Sequence, residues 1–278
     1  HHAGTARPAL ANVSFDVLAE QTTVLLGPSG CGKTSLLRLA AGLDAPDGGR
    51  LLWPEGQPPI GYVFQTSTLL PWATVAANVA LPGRMRRQPD PESVSQALAD
   101  VGLADHAAAL PHTLSGGMQM RVSIARALAS NARLLLMDEP FAALDEVSRA
   151  RLQDLLLGLR THRAMTLLYV THSIAEAVTL GDTIVVLAAR PGRVHGEVPI
   201  PATDRAGWWR TSPAFTHNPR TCSNSSALRG ETRCADETIG GPAGVLARLR
   251  GMTALLGRVS TRRDCRQRHD NLSAICCH

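Results

Sequence analysis

The chain has 278 residues, 44% hydrophobic and 4% aromatic, enough apolar material for one α/β domain with a sizeable core or for two smaller domains. The formal charge of +5 is uneven: residues 1–204 sum to −2 and residues 205–278 to +7, so the basic character belongs to the tail and gives no reason to expect nucleic acid on the body. No apolar run approaches the roughly 18–20 residues needed to cross a bilayer, nothing near the start reads as a secretory leader, and one body thiol, Cys31, fits a reducing compartment.

In chain order, residues 8–18 read as a strand with its turns, alternating around Val13, Phe15 and Val17. Residues 22–26 form a short buried strand, and residues 35–41 a helix closed by Gly42. Residues 44–57, rich in Gly and Pro, read as a hairpin region, and residues 60–64 as a strand ending at Gln65. After Leu69-Leu70-Pro71-Trp72 come a helix over about 73–81, a basic linker over 82–89, and a helix begun by Asp90-Pro91 that runs to Gly102. Residues 72–115 are therefore expected to be an inserted helical subdomain. The spacing then predicts a helix over 118–130, a strand over 133–137 and a long helix over 146–160. A strand over 165–170, a helix to Leu180 and a last strand over 183–189 complete the body, which turns through Arg190-Pro191-Gly192-Arg193. Strands alternating with helices give a mainly parallel sheet covered on both faces.

Between the second strand and its helix stands Gly27-Pro28-Ser29-Gly30-Cys31-Gly32-Lys33-Thr34, which fits the phosphate-loop pattern. Strand, glycine loop and helix start gather backbone N–H groups around one point, which suits a polyphosphate. Lys33 can reach the outer phosphates and the Thr34 hydroxyl can bind Mg²⁺. Lys33 is also the only lysine among 28 cationic side chains, placed where a compact ammonium rather than a planar fork is wanted.

Asp138 and Glu139 follow four apolar residues, so both emerge at the carboxyl end of a buried strand, the edge where open α/β sheets bind ligands. Asp138 suits Mg²⁺ opposite Thr34, and Glu139 suits a water attacking the γ-phosphate. Ser115-Gly116-Gly117 at a helix start is a second anion site of the same physical type. A symmetric dimer would use both, trapping each nucleotide between the Lys33 loop of one copy and the Ser115 turn of the other. His172 ends a strand at the same edge and can donate to the γ-phosphate or the water. Gln65 stands in the corresponding place after strand 60–64, able to touch Mg²⁺ or water and sense the γ-phosphate.

These pieces, in this order, resemble the ATP-binding subunit of ABC transporters. Gly27–Thr34 is similar to the Walker A loop, Gln65 to the Q-loop and Leu114–Met118 to the signature motif. Leu134–Asp138 with Glu139 is similar to Walker B and the catalytic glutamate, Ala143-Leu144-Asp145 to the D-loop, and His172 to the switch histidine. The resemblance covers about residues 8–200. It implies a P-loop NTPase of ABC ATPase type, with an antiparallel β region and a helical subdomain, that binds MgATP. Glu139, His172 and Gln65 would be catalytic, and Thr34, Gln65 and Asp138 would meet the metal. Gly27, Pro28, Ser29, Gly30, Cys31, Gly32, Lys33, Thr34 and Ser35, with Ser115, Gly116, Gly117 and Asp145, would hold the nucleotide.

Leu69-Leu70-Pro71-Trp72, Met118, Pro140–Asp145 and Arg190–Arg193 resemble the importer branch for nitrate, sulfonates, taurine and thiamine precursors. That branch implies a peripheral ATPase on the cytoplasmic face of the inner membrane. Its partners would be a second ATPase subunit, a transmembrane permease and, indirectly, a solute-binding protein. Gln65 and Trp72 would relay closure to the permease.

The departures set the alternatives. No aromatic precedes Phe15, where the family has one that stacks on adenine. The chain opens at His1, so a missing start is expected. Residues 1–204 are expected to form the ATPase domain. Residues 205–278, with five cysteines and no aromatic after Phe215, are expected to be poorly ordered or non-native, similar to an out-of-frame extension. Apolar residues at helical spacing from Val245 to Val259 would otherwise suit a basic amphipathic helix. A catalytically impaired or truncated product is the alternative reading, and a soluble ABC ATPase uncoupled from transport a further one.

Overall fold

The structure, a computed structural model, describes residues 8–189, 191–201 and 273–277, the last as backbone. In chain order the elements begin with β1 (Val13–Val17), β2 (Thr22–Leu26), α1 (Lys33–Ala40), β3 (Arg50–Leu51) and β4 (Ile60–Val63). The helical region holds α2 (Val75–Val79), α3 (Leu81–Met85) and α4 (Pro91–Asp100), followed by α5 (Gly116–Leu128). Then come β5 (Leu134–Asp138), α6 (Glu146–Arg163), β6 (Thr166–Thr171), α7 (Ile174–Leu180), β7 (Thr183–Ala188), β8 (Arg193–Pro199) and β9 (Ser273–Cys277).

The main sheet runs β4-β5-β6-β2-β7-β8. Its first five strands are parallel, and β8 returns antiparallel to β7. Its central strands are buried and largely apolar, with polar residues only at their ends, because both faces are covered. On one face Leu25, Leu134, Leu136, Leu168 and Val170 pack with Leu36 and Leu37 of α1 and with Val13, Phe15 and Val17 of β1. On the other, Val24, Leu26, Leu135, Met137 and Tyr169 pack with residues of α5, α6 and α7. Side chains that alternate in direction along each strand therefore split into two cores, one per face.

The strand order does the work of assembly. β4, β5, β6 and β2 lie side by side, with Val63 opposite Met137, Asp138 opposite Val170 and Leu26 opposite Thr171. Their carboxyl ends thus carry Gln65, Asp138-Glu139, His172 and the Gly27 loop in one row, at roughly 4.8 Å per strand.

Several expected boundaries move. The strand expected last, over 183–189, ends at Ala188 and is not the last, because β8 follows the 191–192 turn. The expected linker over 82–89 contains α3, since Ala80 keeps helical dihedrals and Pro82 sits where a helix start tolerates it. The helix expected from Met118 begins at Gly116, capped by the Ser115 side chain. In the expected hairpin region only Arg50–Leu51 is strand, and it pairs with β9, as β1 does, in a three-stranded antiparallel sheet ordered β1-β9-β3. The rest of the tail, including the amphipathic spacing at 245–259, lies outside the described residues, as do residues 1–7 and Arg190.

Candidate nucleotide site

The glycine loop leaves β2 fully buried and enters α1 through Gly32, whose φ of 93° is one that side chains rarely adopt. A Cβ at Gly32 would also lie 2.4 Å from Leu10, and one at Gly27 would lie 2.7 Å from the Leu187 carbonyl oxygen. The loop therefore needs glycine for both conformation and closeness. Lys33 is 5% exposed, and its ammonium donates to the carbonyls of Gly27 at 2.8 Å and Pro28 at 3.0 Å. The same Nζ lies 3.7 Å from Glu139 Oε1. Cys31 is buried behind the loop, and that burial pushes its thiol pKa up, so it is a packing residue rather than a reactive one.

A cleft of about 1410 Å³ opens over this loop. Ser29, Gly30, Gly32, Lys33, Thr34 and Ser35 line it with Gln65, Asp138 and Glu139, and the Pro8–Asn12 segment forms another wall. The Thr34 hydroxyl donates to Asp138 Oδ1 at 3.1 Å across the floor. Burial raises the Asp138 pKa first, Glu139 adds to the rise, and hydrogen bonds from Thr34 and Tyr62 oppose it. Tyr62 was not singled out by motif. Its place one residue before the end of β4, on the face shared with Leu136, is the available signal.

Glu139 takes a positive φ of 43°, uncommon for a side-chain-bearing residue. Its N–H donates to Val170 O at 3.1 Å, and its carbonyl accepts from Ala142 N–H at 3.1 Å. Strain held in place by neighbours is typical of functional turns, and here it directs the carboxylate between Lys33 and His172. Glu139 Oε2 lies 3.0 Å from His172 Nδ1; with the carboxylate ionised, the imidazole is the donor. Lys33, Glu139 and His172 thus form a continuous line across three strand ends, with Gln65 exposed beside them.

Ser115, Gly116 and Gly117 do not line this cleft. Their turn packs elsewhere on the chain. A Cβ at Gly117 would meet Ser148 at 3.2 Å, and one at Gly116 would meet Leu144 at 3.7 Å. Ser115 Oγ accepts from Met118 N–H, and Asp145 Oδ1 accepts from Ser148 N–H at 2.9 Å; the Ser148 hydroxyl first, and then this N–H, lower the Asp145 pKa. The second anion turn and Asp145 therefore share one neighbourhood. A further polar group escaped sequence reasoning: buried Asn78 accepts from Leu70 N–H and donates to the Leu70, Ala73 and Thr74 carbonyls. It folds the preceding loop so that Trp72 stands 77% exposed.

A phosphate loop at the central strand, with carboxylates and a histidine on neighbouring strand ends, defines an ATPase of the P-loop class. The family model described as ABC transporter matches residues 10–142. An aliphatic sulfonates import ATP-binding protein of Pseudomonas syringae pv. syringae is 42% identical over 200 residues, covering 72% of this chain and 83% of that protein. A taurine import ATP-binding protein of Roseobacter denitrificans is 41% identical over 206 residues, covering 70% and 76%. Among solved structures, the dimeric ATP-binding cassette MJ0796 bound to ADP and Pi superposes with a TM-score of 0.59 at 31% identity, covering 70% of this chain and 91% of that one. The chain belongs to the ATP-binding proteins of ABC transporters, and it is an ATPase.

Proposed function

We propose that the chain is the ATP-hydrolysing subunit of an importer for organosulfonates, aliphatic sulfonates or taurine, and that it works as a head-to-tail pair. Two of the relatives described above carry those solutes in their names. The observation that carries the ATPase half is the unbroken line from Lys33 through Glu139 to His172.

The residues divide the labour as follows. The loop N–H groups and Lys33 hold the triphosphate, and the αL glycines let the backbone reach it. Thr34 Oγ1 and Asp138 Oδ1, 3.1 Å apart, are hard oxygen donors of the kind that share Mg²⁺ with substrate phosphates, and Gln65, which lines the same cleft, would join them. Mg²⁺ supplies neutralisation of the charge that develops on the phosphate oxygens. Glu139 accepts a proton from water as the water oxygen bonds the γ-phosphorus and the bond to the bridging oxygen breaks, leaving ADP and phosphate. His172 holds the Glu139 carboxylate and is placed to donate to the γ-phosphate. The Ser115 turn and Asp145 would complete the site of the second copy.

Among the described residues no helix is long and apolar enough to cross a membrane. Coupling is assigned to a permease partner at the cytoplasmic face, met through the Gln65–Trp72 surface. The test is genetic and direct. A strain deleted for its own sulfonate-import ATPase, given this chain with the matching permease and binding protein, should regain growth on taurine or an alkanesulfonate as sole sulfur source. Growth restored only on an unrelated nutrient would reject the solute class.

A further inference from the structure

The buried carboxylate of Glu176 belongs to none of the motifs above, yet it reaches both turns that matter, one directly and the other through Arg149. It sits on α7 with 7% of its surface exposed. Oε2 accepts from the Tyr169 hydroxyl at 2.9 Å and from the Thr171 hydroxyl at 2.6 Å. Oε1 lies 3.7 Å from Arg149 Nε, on α6. The Arg149 guanidinium in turn donates to the Leu144 carbonyl at 3.1 Å, immediately before Asp145.

Each contact pins a different part of the machinery. Thr171 Oγ1 accepts from Ser173 N–H at 3.0 Å while donating to Glu176, and Ser173 Oγ accepts from Glu176 N–H at 3.3 Å. The backbone on either side of His172 is therefore fixed, while the His172 side chain itself stays 60% exposed and turned to Glu139. Tyr169 packs its ring 5.6 Å from that of Phe141, two residues after Glu139. Burying a carboxylate is costly unless it is paired and hydrogen-bonded, and an apolar replacement of the whole set would serve stability as well. What an apolar set would not do is tie the two turns to each other.

We infer that Glu176 and Arg149 are positioning residues for hydrolysis, a brace that fixes the His172 turn against the Leu144–Asp145 turn. The ligand-contacting turns then move as one unit, so the histidine that donates to the γ-phosphate of one site is registered to the segment that meets the second copy. This rests on the roles proposed above for His172 and Asp145.

The test uses the full chain and four variants: Glu176→Gln, Arg149→Lys, the double variant and His172→Ala. Fluorescent mant-ATP reports binding, and phosphate release reports kcat. Expected is a kcat about tenfold lower in each single brace variant, the size of effect that loss of one charge-assisted contact produces. The mant-ATP Kd should stay within twofold of the parent, and the double variant should be no slower than the worse single one, as coupled partners require. Parent-like kcat in both singles, losses that multiply in the double, or a Kd that worsens in step with a lowered melting midpoint would each overturn the brace. If His172→Ala keeps parent kcat while Glu176→Gln loses tenfold, the role of His172 falls and the brace stands through the 144–145 turn. If only His172→Ala is slow, the brace alone falls.

Discussion

His172 and Glu139 stand 33 positions apart in the chain, yet imidazole Nδ1 and carboxylate Oε2 meet at 3.0 Å. The contact exists because β5 and β6 are neighbours in the sheet and both residues sit just past their carboxyl ends. Replacing Glu139 with Gln keeps the shape and removes the proton acceptor. Hydrolysis should fall by about 10²–10⁴-fold, the usual contribution of a general base, while mant-ATP still binds. Single-turnover phosphate release beside equilibrium binding checks the split, and His172→Ala should show a smaller loss of the same kind.

Asp138 gives a stability prediction with a definite sign. Its folded-state pKa is raised, mainly by burial, so the folded chain holds that proton more readily than the unfolded one. The contribution of this carboxyl to stability is therefore greatest at acid pH and declines as pH rises through the folded-state value. Asp138→Asn should raise the melting midpoint at pH 8, and the advantage should vanish near pH 4, roughly the ordinary carboxylate range. The same variant should lose about 100-fold in Mg²⁺-dependent turnover, because metal charge stabilisation is worth several kcal/mol. Thermal melts across that pH range, with turnover at pH 8, check both halves.

Gly192 lies far from the phosphate loop in sequence and against it in space. A Cβ there would sit 2.1 Å from the Cys31 carbonyl oxygen and 2.9 Å from Leu10. Backbone would have to shift, so Gly192→Ala should weaken ATP binding by about tenfold or more, roughly 1.4 kcal/mol. Gly158, in the middle of α6 with nothing within 4 Å of its added Cβ, is the contrast. Gly158→Ala should leave binding unchanged and stabilise the chain by about 0.5–1 kcal/mol. Isothermal titration with ATP and denaturant melts separate the two.

Local chemistry made much of this legible. The glycine loop, the strand-end Asp138-Glu139 and the Ser115 cap are short patterns whose physics is carried by adjacent residues. The parallel sheet followed from alternation of elements. What sequence could not place were contacts made by tertiary approach: Gly192 behind the loop, Tyr62 on Asp138, Asn78 shaping the turn before Trp72, and Glu176 bridging two turns. None has a local periodicity or spacing that distinguishes it from packing. β8 alternates along its length, but Gly196 and Pro199 leave it only two large apolar side chains, and among the described residues its pairing comes from β7 alone.

The central claim is that one nucleotide is shared between the Lys33 loop of one copy and the Ser115 turn of another. It is tested most directly by isotopically mixed dimers in the Glu139→Gln background. A light copy keeps Lys33, a ¹⁵N-labelled heavy copy carries Lys33→Ala, and ATP bearing a photoreactive group on its γ-phosphate is irradiated in the mixture. Adducts at residues 115–117 of the heavy copy, absent when that copy is irradiated alone, are the expected result. A heavy copy left unmarked, while residues 115–117 of the light copy carry the label, would contradict it.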